Sequence, residues 1–316
     1  MKISKTNFSN IVNPYLEREV KYAFHDVDGT HSLIRNWPPV MSAVLHDVIV
    51  NGLPKDLLSD ENINRLADKS GRTPLPETDR FCVESAGLSA LTQMEWAIRR
   101  AIEEGKILID CDKELNSWKI REIWKGKELF EQRDSDELTE FLTKSTPKLF
   151  KLYEKVLNLF CRDKNLAEAK KNPNMYLVKG SMRFMDFLSR NGVKNYFVTG
   201  AVVEKGKGMY EEVEGLGFQI GKGKQVEALV GSTWNEKLPK EIIMKKLITD
   251  LGCRGDEIIV VGDGRAEISA GVEMGAFTIG RLPNTATRQK AILKEIGVNI
   301  IVEDFDNDDM YKIFNK

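Results

Sequence analysis

Hydrophobic residues along this chain recur with two different periods, and the change between them divides the chain into regions. An apolar run over residues 20–24 is typical of a short buried strand. From residue 36 to residue 174 the apolar positions follow a helical spacing, which predicts a small helical bundle. After residue 174, helical segments alternate with short β-branched runs such as residues 258–261. That alternation predicts a doubly wound parallel sheet of the α/β class, to which the first strand also belongs.

The first strand is therefore separated from the rest of its sheet by an inserted helical region. We predict an α/β core domain from residues 1–35 and 175–316, and an all-α domain from residues 36–174. Pro147 is expected to split or kink one helix, and the charged stretches 59–78 and 124–136 are expected to connect helices. The predicted helices cover residues 37–49, 89–104, 136–162, 180–190 and 240–251. The predicted later strands cover residues 195–199, 258–261, 276–279 and 299–302.

Composition and charge exclude several classes of protein. A length of 316 residues is about twice that of a typical domain, in keeping with two units. The formal net charge of −1 argues against broad electrostatic capture of nucleic acid or of an anionic membrane. No apolar stretch approaches the roughly 18 residues of a membrane span, and the opening residues lack the apolar core of a signal peptide.

The cysteines indicate a reducing compartment. Four of them are scattered along the chain without a CxxC pair, namely Cys82, Cys111, Cys161 and Cys253. Such spacing favours free thiols over disulfides or a zinc site. We therefore expect a cytoplasmic protein, either a monomer or a homodimer, whose partner is a small molecule rather than nucleic acid or a membrane.

The residues directly after the first strand, Asp26-Val27-Asp28-Gly29-Thr30, carry the most chemical information. They place two carboxylates on a turn past the C-terminal end of a strand, where open α/β sheets bind their ligands. One carboxylate can act as a nucleophile and the other can transfer protons, with a divalent cation between them and the substrate. A solvated turn is the alternative, because Asp and Gly are ordinary turn residues. A calcium loop fits poorly, because His31 and Trp37 stand where that loop needs Gly and Glu.

Two further polar groups follow later predicted strands. Thr199 and Gly200 close the strand at 195–199, and together they can donate two hydrogen bonds to a phosphate oxygen, although a plain turn is the alternative. Asp263 follows the strand at 258–261, and Glu267 falls in the first turn of a helix if one begins near residue 265. These carboxylates are the hard oxygen ligands that Mg²⁺ prefers. An acid at a helix N-terminus also complements the helix dipole, which is the alternative for Glu267.

A lysine at the start of a predicted helix completes the pattern. Lys240 begins the helix 240–251, where it would neutralise neighbouring acids and hold a phosphate, and Lys237 is its rival. Either lysine alone would ordinarily be a solvated side chain. Because the carboxyl ends of parallel strands meet at one edge of a sheet, these groups are expected to converge there. The converging set suits phosphoryl transfer and consists of Asp26, Asp28, Thr199, Lys240 and Asp263.

Taken in this order, the motifs resemble those of the haloacid dehalogenase (HAD) superfamily. The match consists of residues 26–30, Thr199, Lys240 and residues 262–267, and the resemblance covers roughly residues 18–35 and 174–303. It implies a Rossmann-like α/β core with a helical cap domain inserted between the first and second motifs. That is where residues 36–174 lie.

The resemblance also implies a role for each matching residue. Asp26 would attack phosphorus and form an aspartyl-phosphate, while Asp28 would protonate the leaving oxygen and then take a proton from water. Thr199 and Lys240 would hold the transferring phosphoryl group. Mg²⁺ would be bound by Asp26, the backbone carbonyl of Asp28, Asp263 and Glu267, the last directly or through water.

Asp28 favours phosphate esters over carbon–halogen bonds, because an alkoxide leaving group needs a proton and a halide does not. We therefore expect a Mg²⁺-dependent phosphatase of a small phosphorylated metabolite, with sugar and polyol phosphates as the leading class. A phosphomutase would keep the same residues, and a catalytically inactive binding protein on the same fold is a further alternative. His25 and His31 depart from the family pattern. We expect them to pack as core histidines, or His31 to line the substrate entrance.

Overall fold

The computed structural model describes residues 1–6, 8–128, 130–233 and 239–315. The chain forms two compact units, one made of Met1–Ile34 with Leu166–Lys316 and the other of Arg35–Asn165. The first is an α/β unit and the second is helical, so the predicted class, a parallel α/β core with an inserted helical region, is confirmed. The second crossing between the units lies earlier in the chain than the predicted boundary at residues 174 and 175.

The α/β unit is built on one mainly parallel sheet. The strands are β1 (Lys2–Ile3), β2 (Arg18–Glu19), β3 (Tyr22–His25), β4 (Lys194–Glu204), β5 (Lys207–Gly208), β6 (Ala228–Ser232), β7 (Ile258–Gly262), β8 (Phe277–Arg281), β9 (Ile300–Val302) and β10 (Phe314–Asn315). The parallel strands lie side by side in the order β6-β4-β3-β7-β8-β9, and β5 pairs antiparallel with the end of β4. Strands β10, β1 and β2 form a separate small antiparallel sheet. The short strand β3 therefore lies between β4 and β7, which both follow the insertion.

Helices cover both faces of the main sheet, which explains why the central strand β7 is apolar and buried along its whole length. Alternate side chains of β7 point to opposite faces: Ile259 and Val261 join one buried cluster, and Ile258 and Val260 join another. The helices of this unit are α8 (Ser181–Arg190), α9 (Met209–Gly215), α10 (Lys240–Leu251), α11 (Arg265–Glu273), α12 (Thr287–Ile296) and α13 (Asp308–Tyr311). Helix α8 packs on the first cluster through Phe184 and Leu188, whereas α10 packs on the second. Burial on both faces fixes the strand register that brings the polar strand ends together.

The helical unit follows β3 in the chain. Its helices are α1 (Pro38–Asn51), α2 (Asp60–Lys69), α3 (Pro76–Glu84), α4 (Ala90–Glu103), α5 (Lys113–Trp124) and α6 (Asp136–Leu157), and α7 (Asp163–Ala169) crosses into the other unit. Its core includes fully buried Phe81 and Trp96, whose rings stack with centroids 3.8 Å apart and an interplanar angle of 10°. Fully buried Arg99 is held by Asp134, with donor–acceptor distances of 3.2 and 2.6 Å. None of the helices in the described residues is long and apolar enough to cross a membrane.

Two sequence-based expectations about this unit need correction. Pro147 does not split α6, which continues through it to Leu157, and a π-helical turn follows at Asn158–Arg162. The stretch 59–78 is not a plain connection, because it contains α2 and the start of α3. Helix α2 begins with a side-chain cap, in which the Ser59 hydroxyl accepts a hydrogen bond from the backbone N–H of Asn62 at 3.3 Å. A polar helix of this length, capped but with few apolar positions, gives little periodic signal.

Candidate active site

Asp26 is held at the C-terminal end of β3 by the neighbouring strand. Its backbone N–H donates to the Val261 carbonyl at 2.8 Å, so the residue continues the β3–β7 pairing by one position. The residue is 5% exposed. Burial raises the pKa of Asp26, and the nearby Lys240 ammonium opposes that increase. The chain thus keeps a carboxylate at the edge of the sheet in a place from which most water is excluded.

The turn after Asp26 is tied to itself by backbone hydrogen bonds. The Val27 carbonyl accepts from the N–H groups of Thr30, His31 and Ser32, at 3.3, 2.9 and 2.9 Å. Gly29 has a φ of +76°, and a Cβ there would lie 2.2 Å from Oδ2 of Asp263. Only glycine fits this position, because both the backbone conformation and the adjoining carboxylate exclude a side chain. The turn therefore brings the first motif directly against Asp263.

Lys240 connects three elements. It is the first residue of α10, after Pro239, and its Nζ donates to Oδ1 of Asp26 at 2.7 Å and to Oε2 of Glu267 at 3.0 Å. Burial alone would lower the pKa of this lysine, but the Asp26 and Glu267 carboxylates raise it overall. Lys240 therefore remains charged at neutral pH. The rival Lys237 lies outside the described residues.

Glu267 is fixed by the first turn of α11. Its Oε1 accepts a hydrogen bond from the Gly264 N–H at 2.6 Å, while Oε2 accepts from Lys240. The side chain folds back over the end of β7, where a Cβ on Gly262 would lie 2.3 Å from its Cγ. The two glycines around Asp263 therefore contribute differently: Gly262 leaves room for the Glu267 side chain, and the Gly264 N–H donates a hydrogen bond to it. Each oxygen of this buried carboxylate is already engaged by a protein donor.

Asp26, Asp263 and Glu267 form an acidic cluster in which one carboxylate oxygen from each lies within 4.8 Å of the others. Burial raises the pKa of Asp263 well above its ordinary value, and the charges of Asp26 and Glu267 add to the increase. Lys240 alone cannot balance three carboxylates. Hard oxygen donors with excess negative charge fit a divalent cation such as Mg²⁺. The structure therefore brings together three of the four predicted metal ligands by their side chains.

The fourth predicted ligand, Asp28, lies on the turn and is half-buried. The turn forms a bridge between Asp28 and Ser32, and Ser32 in turn bridges to Leu177. Its predicted role uses both the side chain, for proton transfer, and the backbone carbonyl, for metal binding. Both stay predictions, and both depend on the conformation of the turn.

The sequence analysis predicted that Thr199 ends its strand, but Thr199 lies within β4. The strand continues to Glu204, but its pairing with β6 is irregular between Val198 and Val202, and its pairing with β3 stops at Phe197. Thr199 and Gly200 therefore lie in the irregular segment, just beyond the level of Asp26. The Thr199 hydroxyl accepts from the Ala201 N–H at 3.1 Å, which leaves its own proton to donate.

Two residues near the site were missed by the sequence analysis. Gly231 of β6 leaves room for the β4 segment that carries Thr199, since a Cβ there would lie 2.5 Å from Val203 Cγ2, 2.6 Å from the Ala201 carbonyl oxygen and 3.0 Å from Thr199 Cγ2. Arg281 ends β8, and its Nη1 donates to the Gly29 carbonyl at 2.7 Å. The rule that identified Asp26 and Asp263, a polar residue directly after a buried strand, would also have found Arg281. It was overlooked because no motif marks it.

His25 and His31 form a buried pair behind the turn, so the expectation that His31 lines the entrance is wrong. The Nδ1 of His25 lies 3.0 Å from the Nε2 of His31, and the Nε2 of His25 lies 3.2 Å from the Oδ1 of Asn195. Since the Asn195 amide nitrogen already donates elsewhere, its Oδ1 accepts from Nε2 of His25. Because burial lowers the pKa of His25, the ring is neutral, so its Nδ1 accepts from Nε2 of His31. The acceptors that orient the Asn195 amide are Met185 O, Ser189 Oγ and Gln225 O.

Burial keeps this histidine pair unprotonated. It lowers the pKa of His25 to about 3. It also lowers the pKa of His31, with further contributions from the charges of His25 and Arg281. The His31 ring stacks on Phe305, with centroids 4.9 Å apart and an interplanar angle of 15°. The pair therefore packs as core histidines, as the sequence analysis allowed.

Comparison with known proteins supports the fold. No protein-family model matches the chain, and no curated protein is detectably similar to it. Among solved structures, it is similar to a predicted phosphatase from Clostridium acetobutylicum, with a TM-score of 0.51 and 17% identity over 93% of this chain and 97% of that one. It is also similar to a hydrolase from Pseudomonas syringae, with a TM-score of 0.50 and 14% identity over 93% and 99% of the two chains. At such identities the likeness establishes the fold alone.

The predicted fold is confirmed by the strand order and by these matches over most of the chain. It is a parallel α/β core with a helical region inserted after the first strand.

Proposed function

We propose that this protein is a Mg²⁺-dependent phosphatase of small phosphorylated metabolites, acting through an aspartyl-phosphate. One observation carries the proposal. The Asp26 carboxylate is buried at a strand end, bound to Lys240 at 2.7 Å, and adjoins Asp263 and Glu267. A nucleophilic carboxylate, a fixed cation and ligands for a second cation are the groups that phosphoryl transfer requires.

The geometry favours one oxygen of Asp26 as the nucleophile. Oδ1 accepts a hydrogen bond from Lys240 at 2.7 Å, whereas the Thr30 hydroxyl lies 3.5 Å from Oδ2. Oδ2 would attack phosphorus while the bond from phosphorus to the ester oxygen breaks, and Asp28 would give its proton to that leaving oxygen. Asp28 would then take a proton from water as the water oxygen attacks phosphorus. Inorganic phosphate leaves and the Asp26 carboxylate is restored.

Charge on the transferring group would be held by Lys240, by the Thr199 hydroxyl and by the Gly200 N–H. Such fixed donors stabilise the phosphoryl oxygens without reorganising during the reaction. A Mg²⁺ ion would be held by Asp26, Asp263 and the Asp28 carbonyl, with Glu267 acting directly or through water. When bound, it would neutralise charge on the phosphoryl oxygens.

The nucleophile assignment is tested by Asp26→Asn, with p-nitrophenyl phosphate and a panel of sugar and polyol phosphates as substrates. We expect phosphate release to fall at least about a thousandfold, because loss of a nucleophile removes the whole covalent route. The matched control is Asp256→Asn, an exposed acid that pairs with Arg254 away from the cluster. Activity that survived in Asp26→Asn would reject the proposal. An isomerised sugar phosphate instead of free phosphate would indicate a mutase.

The metal assignment is tested without turnover. Isothermal titration of Mg²⁺ into the wild type should give a binding signal that Asp263→Asn loses and Asp256→Asn keeps. Equal affinity in Asp263→Asn would exclude Asp263 as a ligand. The motif-three lysine is tested by comparing Lys240→Met with Lys237→Met, of which only the first should abolish phosphate release.

A further inference from the structure

Arg281 reaches from one strand end to the loop after another. It is the last residue of β8, and β7 separates that strand from β3 in the sheet. Its Nη1 donates to the Gly29 carbonyl at 2.7 Å, and its Nε donates to the Glu303 carbonyl at 2.9 Å. The guanidinium thus passes the end of β7 and binds the turn that carries Asp28. Its second bond anchors it to the chain beyond β9.

This contact completes the fixing of one peptide group. The Gly29–Thr30 peptide has its carbonyl bound by Arg281, while its N–H, that of Thr30, donates to the Val27 carbonyl at 3.3 Å. The N–H of Gly29 donates to the Ser32 carbonyl at 2.9 Å. Because the Asp263 carboxylate lies against the Cα of Gly29, the turn is also blocked on that side. The hydrogen bond of the Thr30 N–H stays within the turn, whereas that of the Gly29 carbonyl comes from Arg281, in a distant part of the chain.

The charge of Arg281 is kept at this position against a cost. Burial lowers its pKa, and the charges of Asp263, Asp304 and Glu303 act in the opposite direction. A half-buried guanidinium is costly to desolvate unless its donors are used. The Arg281 guanidinium uses two of its N–H donors on the Gly29 and Glu303 carbonyl groups. A lysine could not bind both carbonyl groups with the same geometry.

We propose that Arg281 is a positioning residue, which holds the Gly29–Thr30 peptide and so places the Asp28 carboxyl group for proton transfer. The inference rests on the proposed function, because Asp28 is the general acid only in a phosphatase or mutase. Arg281 itself touches neither Asp26 nor Lys240 through any bond that the structure describes. When Mg²⁺ is saturating, so that the Asp28 carbonyl does not limit the rate, the effect of Arg281 should fall on proton delivery rather than on attack at phosphorus.

Two kinds of substrate separate these effects. An alkyl phosphate needs a proton on its leaving oxygen, whereas p-nitrophenolate leaves readily without one. In Arg281→Met we expect kcat/KM for an alkyl phosphate to fall about 10- to 100-fold, a part of what a general acid contributes. For p-nitrophenyl phosphate the fall should be less than about threefold. Arg281→Lys, which keeps the positive charge and can still donate to the Gly29 carbonyl, should recover at least about threefold of the loss. Equal losses for both substrates, or no recovery in Arg281→Lys, would overturn the inference.

A second measurement does not depend on turnover. Hydrogen–deuterium exchange of peptides covering residues 27–33 should become at least about tenfold faster in Arg281→Met, because the turn loses its outside anchor. Exchange in β4 should stay unchanged. The control is Arg190→Met, at an exposed arginine that ends α8. Unchanged exchange at residues 27–33 would overturn the positioning role, even in an active enzyme. Faster exchange in a protein whose wild type releases no phosphate would reject only the proposed function.

Discussion

The buried histidine pair predicts a loss of stability in mild acid. An unfolded histidine has a pKa of about 6.5, whereas burial holds the pKa of His25 at about 3 and lowers that of His31 as well. As pH falls below about 6.5, protons bind the unfolded chain but not the folded one, which favours unfolding. The stability from the neutral pair is therefore complete above pH 6.5 and decreases as the pH falls towards the folded-state values.

The magnitude follows from this difference in proton binding. Between about pH 7 and about pH 5.5, each histidine that stays neutral in the fold should lower the free energy of unfolding by about 1.3 kcal/mol. The pair should therefore account for about 2.5 kcal/mol, a large part of the stability of an ordinary domain. His31→Gln removes one titrating ring and keeps a donor for His25. Its free energy of unfolding should therefore fall by only about 1.3 kcal/mol over the same pH change, from the remaining ring. The reciprocal variant, His25→Gln, should show the same halving.

The assay must report on the α/β unit. Tryptophan fluorescence would follow mainly the helical unit, which contains Trp37, Trp96, Trp118 and Trp124. Pulsed hydrogen exchange across a urea series, read on peptides that contain β3 and β7, gives the free energy of unfolding for the correct unit. Other titrating groups, including His46, are present in the wild type and in each variant, so their contributions cancel when the acid losses of the two proteins are subtracted. Equal acid losses in the wild type and in both variants would refute the neutral-pair interpretation.

Two further variants test the turn and the helical core. Gly29→Ala should abolish phosphate release from p-nitrophenyl phosphate, because its Cβ would lie 2.2 Å from an Asp263 oxygen. Gly206→Ala is its control, since Gly206 has a similar φ of +77° with nothing within 4 Å, so it should be active at a stability cost of about 1–2 kcal/mol. Phe81→Ala should destabilise the helical unit by about 3–5 kcal/mol in urea unfolding followed by tryptophan fluorescence. Leu108→Ala, at a side chain that is 92% exposed, should change it by less than about 0.5 kcal/mol, and equal effects would contradict the packing.

The sequence predicted the elements that carry a strong periodic or compositional signal. The strand at 258–261 and the helix at 240–251 are found as expected, because each has an apolar face or core that the fold buries. Strand β6 was missed, since Ala228–Ser232 is short and contains a glycine. Helix α2 was missed because its stability comes from capping and two buried apolar residues rather than from a long stripe.

In the candidate site, too, some residues could be predicted from the sequence and some contacts could not. Asp26, Lys240, Asp263 and Glu267 could be selected from sequence because each follows a strand or begins a helix, and parallel strands bring those ends together. The contact between Arg281 and the Gly29 carbonyl could not be predicted, because it depends on the order β3-β7-β8 and on a side chain crossing one strand. The tautomers of the histidine pair likewise depend on the orientation of an amide in another strand.

The position of β3 has a consequence for how the chain folds during synthesis. This strand lies between β4 and β7, yet both of its neighbours come after the whole of Arg35–Asn165. A ribosome therefore releases a central strand long before any partner for it exists. The helical unit is one continuous stretch and can fold in that interval, since its contacts are local in sequence. We expect β3 to stay unpaired while the helical unit folds, so that the segment carrying Asp26 is synthesised before its neighbours in the sheet and becomes ordered only together with them.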